Sequence, residues 1–121
     1  MIVALEPDLI TRRQLIATAE SLGITLTVFN DPKLLIQSLD KVMPSVLIIE
    51  PQTAPLSGIA LLQEFRSYED LATIPIVIYS LVPEANFRLT ASEWGLFGVK
   101  KYYHKSSTSM KHMLNYARSL K

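Results

Sequence analysis

Short apolar runs alternate with longer amphipathic stretches five times along the chain. The runs occupy residues 2–5, 24–29, 46–49, 74–79 and 99–103. Strand-length segments separated by helix-length ones predict a parallel sheet with helices on both faces. The first, third and fourth runs are apolar almost throughout, as strands covered on both sides should be, whereas the second and fifth admit polar residues and read as peripheral. Between them, Leu15, Ala19 and Leu22 fall at helical spacing ahead of Gly23, which suits the left-handed residue that closes a helix. Asp31 and Pro32 read as an N-cap and first helical residue, opening a second helix through Leu35, Leu39 and Val42 to a stop near Pro44. Ile59, Leu62 and Phe65 mark a third helix, and a fourth is expected from near Pro83 to Trp94 and Gly95. Residues 106–109, all Ser or Thr, cap a fifth helix through Met110, Met113, Leu114 and Ala117.

The 121 residues suit one domain spanning 1–121, with enough chain to bury a single core. A hydrophobic content of 49% and a mean hydropathy of +0.24 argue against disorder. No apolar run approaches the roughly 18 residues of a membrane span, and the first run meets Glu6 too soon for a signal peptide. The chain has no cysteine, which removes disulfides, thiolate metal sites and cysteine nucleophiles and fits a cytoplasmic setting. Twelve basic residues against eleven acidic ones leave a net charge of +1, far from the excess a phosphate-tracking surface needs. Neither nucleic acid nor membrane is therefore an expected partner.

In a doubly wound sheet, reacting groups gather where the loops open at the carboxyl ends of the strands. The first strand delivers Glu6, Pro7 and Asp8 there, the third Glu50, the fourth Ser80, and the fifth His104 and Lys105. Carboxylates, a hydroxyl and an ammonium thus converge on one edge. Each also has a plainer reading. Glu6 and Glu50 can be solvated strand-end acids, Ser80 a turn residue, His104 a loop residue, Asp8 the N-cap of the first helix, and Arg12 and Arg13 a solvated helix face.

With these residues in this order, the chain resembles a response-regulator receiver domain over its whole length. The run Pro75 to Ser80 matches that family's fourth-strand motif, and Gly98 to Lys105, with Tyr102 three residues before the lysine, matches the fifth. The resemblance implies a five-stranded parallel sheet in order 2-1-3-4-5, flavodoxin-like, with helices on both faces. It also implies a pocket built from Glu6, Asp8, Glu50, Ser80 and Lys105, a switch formed by Ser80 and Tyr102, and output through the face of helix four, strand five and helix five.

The departures fall on the chemistry. Glu50 stands where the family carries its phosphoacceptor Asp, with Gly58 eight residues on. Pro7 takes the second acidic position, the motif proline comes one place late at Pro55, and Ser106 replaces the proline after the lysine. Magnesium demands near-octahedral oxygen ligands, so exchanging a ligand carboxylate for a proline ring weakens any site at Glu6 and Glu50. The expectation is accordingly an atypical receiver, not an enzyme and without a cofactor, that works as a protein interaction module in signal transduction. Glu50 either biases the switch permanently or leaves it frozen as a fixed docking surface. The partner is another signalling protein or a second copy, docking on Phe87, Trp94, Lys101, Tyr102 and Tyr116. One or two of Phe87, Trp94, Phe97 and Tyr116 are expected at the surface, Trp94 first among them, and Glu50 is expected to pair with Lys105. The alternative is a functional phosphoacceptor of a phosphorelay, with magnesium and with Glu50 or Asp8 accepting. A flavodoxin-type ligand site is disfavoured because residues 6–11 form no phosphate loop.

Overall fold

The computed structural model describes residues 1–52 and 58–120. Five parallel strands, β1 (Ile2–Leu5), β2 (Leu26–Phe29), β3 (Val46–Ile49), β4 (Ile76–Ser80) and β5 (Val99–His104), form one sheet in the order β2-β1-β3-β4-β5. α1 (Leu9–Ser21), α2 (Pro32–Ser38), α3 (Ile59–Ser67) and α4 (Ala91–Leu96) lie between successive strands, and α5 (Met110–Ser119) follows β5. The strand order is the one the resemblance implies, and the near-continuous burial of β1, β3 and β4 is what the hydrophobic pattern predicts.

Because successive strand residues point to opposite faces, each central strand feeds two cores. Val3, Leu5, Leu47, Ile49, Ile76 and Ile78 pack with Leu35, Leu61, Phe65 and Trp94 under α2, α3 and α4. Ile2, Ala4, Ile48, Val77 and Tyr103 pack with Leu15, Ala19, Met113 and Leu114 under α1 and α5. Helix starts follow the sequence signals. Asp8 accepts from Thr11 N, Asp31 from Lys33 N and Ser109 from His112 N, each quenching an otherwise orphaned N–H. Gly23 closes the α1 turn at a left-handed φ of 68°.

Two helices differ from expectation. α2 ends at Ser38 instead of reaching Val42. The Ser38 hydroxyl donates to Leu35 O at 2.6 Å, and Leu39 N turns to Ile36 O, which tightens the last turn and leaves Val42 and Met43 exposed. The stretch expected as one helix from Pro83 to Trp94 is instead a 3-10 turn (Glu84–Phe87) and a separate α4. Arg88, at φ 53°, breaks the first, and a reciprocal capping box between Thr90 and Glu93 starts the second. No helix among the described residues is long and apolar enough to cross a membrane.

A half-buried arginine fixes the far end of this half of the molecule. Arg66, in the last turn of α3, donates to the carbonyls of Phe97, Leu71 and Ile74, satisfying chain ends that α4 and a 3-10 turn (Glu69–Leu71) leave open. The guanidinium lies so close to Gly98 that a Cβ there would stand 1.2 Å from Nη2, at a backbone φ of 78°. Only glycine fits.

Candidate functional site

β1, β3, β4 and β5 end side by side, and the polar residues that the first three deliver there are buried. Glu6, Glu50 and Ser80 are 2%, 6% and 0% exposed. Lys105 follows β5, and its backbone N–H donates to Ser80 O at 2.8 Å, which aims the side chain back across the strand ends. Its ammonium lies 2.6 Å from Glu6 Oε1 and 3.2 Å from Glu50 Oε2. The expected Glu50–Lys105 pair is present, and Glu6 is the nearer partner.

One ammonium shared between two carboxylates makes the electrostatics asymmetric. Burial pushes the Glu6 carboxyl above its ordinary value, and the Lys105 bond and the N–H of Asp8 offset this only in part. Burial also works against the Lys105 charge, but the bond and attraction of Glu6, joined by the pull of Glu50, outweigh it and hold the ammonium above the ordinary lysine value.

Ser80 extends this cluster toward the surface. Its hydroxyl donates to Glu50 Oε1 at 2.9 Å and accepts from Val82 N at 3.0 Å. Val82 O in turn accepts from the Tyr102 hydroxyl. The Tyr102 ring lies among Trp94 and Phe87, with centroids 5.4 and 6.0 Å away, and burial pushes its phenol up to about 12. His104 Nε2–H donates to Leu81 O at 2.8 Å, so the loop after β4 is held from three sides.

Asp8 does not join the pocket as expected. It is exposed, and its carboxylate accepts from both Thr11 N and Thr11 Oγ1 at 2.8 Å, because capping α1 is the nearer use for a short acid at that position. Arg12 is not a solvated face residue either. It donates to Pro7 O at 2.6 Å and Glu6 O at 3.1 Å, bracing the turn that carries Glu6. Pro55 lies outside the described residues. Trp94, expected as the first surface anchor, is 5% exposed and belongs to the core, with its indole N–H unpartnered. Phe87, Phe97 and Tyr116 are half-buried, while Lys101 is exposed. Sequence spacing gave no sign of Arg66, because an arginine in a last helical turn normally reads as solvated.

The residues present do not fit a magnesium ion. Among the described residues no group of three or more His, Asp or Glu side chains comes together in a metal-ligating arrangement, Pro7 offers no ligand, and the Lys105 ammonium already bridges the two carboxylates.

No protein-family model and no curated protein matches the sequence. Solved structures match its fold closely. The chain is similar to the chemotaxis response regulator CheY4 of Vibrio cholerae, with a TM-score of 0.79 and 13% identity over 99% of this chain and 97% of that one. It is similar to the receiver domain of a Francisella response regulator, with a TM-score of 0.81 and 21% identity over 98% and 93%. The receiver domain of a sensor histidine kinase from Pseudomonas aeruginosa, determined with a magnesium ion in its active-site cleft, gives 0.76 and 16% over 98% and 94%. The chain therefore has the five-stranded parallel fold of receiver domains.

Proposed function

We propose that the chain is an atypical receiver in which Glu50 does the work of a phosphoryl group, so that the domain signals by docking without being phosphorylated. The observation that carries this reading is the unbroken contact path from Glu50 through Ser80 and Val82 to Tyr102. In receivers, which the chain resembles, a hydroxyl at the Ser80 position moves toward the phosphoryl oxygens and an aromatic at the Tyr102 position turns inward. Here a carboxylate one methylene longer than aspartate receives the hydroxyl directly, and the tyrosine packs inward beside Trp94.

The same geometry disfavours phosphoryl transfer. Transfer depends on positioning and on a metal that neutralises charge. Pro7 and the bridging ammonium oppose that metal. Output then runs through the surface over α4, β5 and α5, where Lys101 is exposed and Phe87, Tyr102 and Tyr116 are half-buried, toward another signalling protein.

Incubation with a small phosphodonor and magnesium, read by intact mass, tests this. The wild-type mass is expected to stay unchanged, Glu50→Asp alone to gain little, and Glu50→Asp with Pro7→Asp to gain a phosphoryl adduct. A stoichiometric adduct on the wild type would support the phosphoacceptor alternative instead.

A further inference from the structure

α1 carries more apolar surface than the core uses. It gives Leu15 and Ala19 to the interior, yet Leu9, Ile10 and Ile16 stand 50%, 66% and 44% exposed on its outer side. α5, the other helix on this side of the sheet, exposes Lys111, His112, Arg118 and Ser119, all polar. An outward apolar stripe marks a contact surface, because a helix that faces only water shows polar residues there.

The charges on the same stripe select what covers it. Helical periodicity places Leu9, Ile10, Arg13, Ile16, Ala17 and Glu20 within an arc of about 120°. Arg13 and Glu20 stand one turn either side of the midpoint between Ile16 and Ala17, and both are exposed. Among the described residues neither forms an ion pair. Read from either end the stripe runs charge, apolar pair, charge, with the sign reversed. An antiparallel helix satisfies both charges only if it carries the base and then the acid at this same spacing, and a second copy of α1 does so at once: Arg13 of each faces Glu20 of the other. A parallel copy sets like against like, and a helix of a single sign mispairs one end. The net charge of +1 leaves little general repulsion between copies.

We propose that α1 is a self-association helix, packing antiparallel on α1 of a second copy about a two-fold axis between Ile16 and Ala17. The axis sets Ile16 on Ile16 along one flank of the contact and Ala17 on Ala17 along the other, where the small side chain lets the helices approach. Two Arg13–Glu20 pairs close the contact. Leu9 and Ile10 reach the level of the copy's Gly23, where the space is open. An isologous contact of this kind closes at two copies. α1 has no part in the surface over α4, β5 and α5, so the contact does not rest on the reading proposed above.

Charge reversal tests the pairing. The wild type is expected to sediment as a concentration-dependent dimer. Arg13→Glu sets acid against acid at both ends of the contact and Glu20→Arg sets base against base, so each variant alone is expected to dimerise about tenfold or more weakly. Mixed in equal amounts, the two variants regain both pairs and form a heterodimer, identified by native mass. The double variant, with the two charges exchanged, dimerises as the wild type does. Both positions are exposed, so every variant keeps a cooperative melting curve. A monomeric wild type, a dimer indifferent to either reversal, or single variants that fail to pair on mixing overturns the proposal.

Discussion

Ser80 Oγ donates to Glu50 Oε1 at 2.9 Å, where two adjacent strands end and where neither side chain reaches water freely. Glu50 takes this hydroxyl while its other oxygen faces Lys105. The lysine thus does more than neutralise charge: it holds two buried acids in a fixed arrangement, one of which positions Ser80.

Removing the ammonium is therefore expected to be costly and pH-dependent. Lys105→Met leaves Glu6 and Glu50 buried without their cation, a loss of about 3 kcal/mol at neutral pH. Glu6 is already raised above 4.5 by burial and rises further without Lys105. A carboxyl with a raised folded pKa contributes stability that is complete below its unfolded value and is lost as pH climbs through the folded one. Denaturant melts of the variant should thus show the smallest deficit near pH 4 and the largest at pH 7, and a deficit independent of pH would contradict this.

Much of this arrangement was legible in the sequence, and what was not has physical causes. Strand positions followed from apolar runs whose length left no other reading, and Asp8, Asp31 and Ser109 were legible as caps because capping is local chemistry. The Glu50–Lys105 pair followed from topology, since parallel strands must deliver their ends to one edge. That Glu6 lies nearer the ammonium depends on a turn braced by Arg12, which no local signal encodes. The break before α4 carried a readable sign, Thr90 with Glu93 three residues on, which the expectation of one helix from near Pro83 passed over. Trp94 was misplaced because aromatic content does not tell a core position from a surface one. The turn at Arg88 that sends α4 back over β5 decides it.

Tyr102 should report the outer end of the path. Its phenol is pushed up to about 12, first by burial. A raised phenol favours the protonated folded state, so its contribution to stability is complete below pH 10 and is lost between there and about 12. Ultraviolet titration of tyrosinate absorbance should show a late transition near pH 12 that disappears in Tyr102→Phe. A wild-type curve complete by the ordinary tyrosine value of about 10 would place the ring in solvent.

The unpartnered indole N–H of Trp94 makes an unusual mutational response testable. A buried donor without an acceptor carries a desolvation cost of about 1–3 kcal/mol, which a phenyl ring does not incur. Trp94→Phe is accordingly expected to change stability by about 1 kcal/mol or less, whereas Trp94→Ala, which empties the site between Phe87 and Tyr102, costs about 3–5 kcal/mol. Thermal melts of the two variants decide the point, and a large loss with phenylalanine would mean the nitrogen has a partner.

The central claim is that Glu50 already occupies the place of the phosphoryl group and sets the Ser80–Tyr102 path. Its most direct test is an amide spectrum of the wild-type domain recorded before and after adding beryllium fluoride, a tetrahedral phosphoryl mimic, with magnesium. The account predicts that Glu50, Ser80, Val82 and Tyr102 keep their positions. Saturable shifts that start at Glu50 and run through Ser80 to Tyr102 would contradict it.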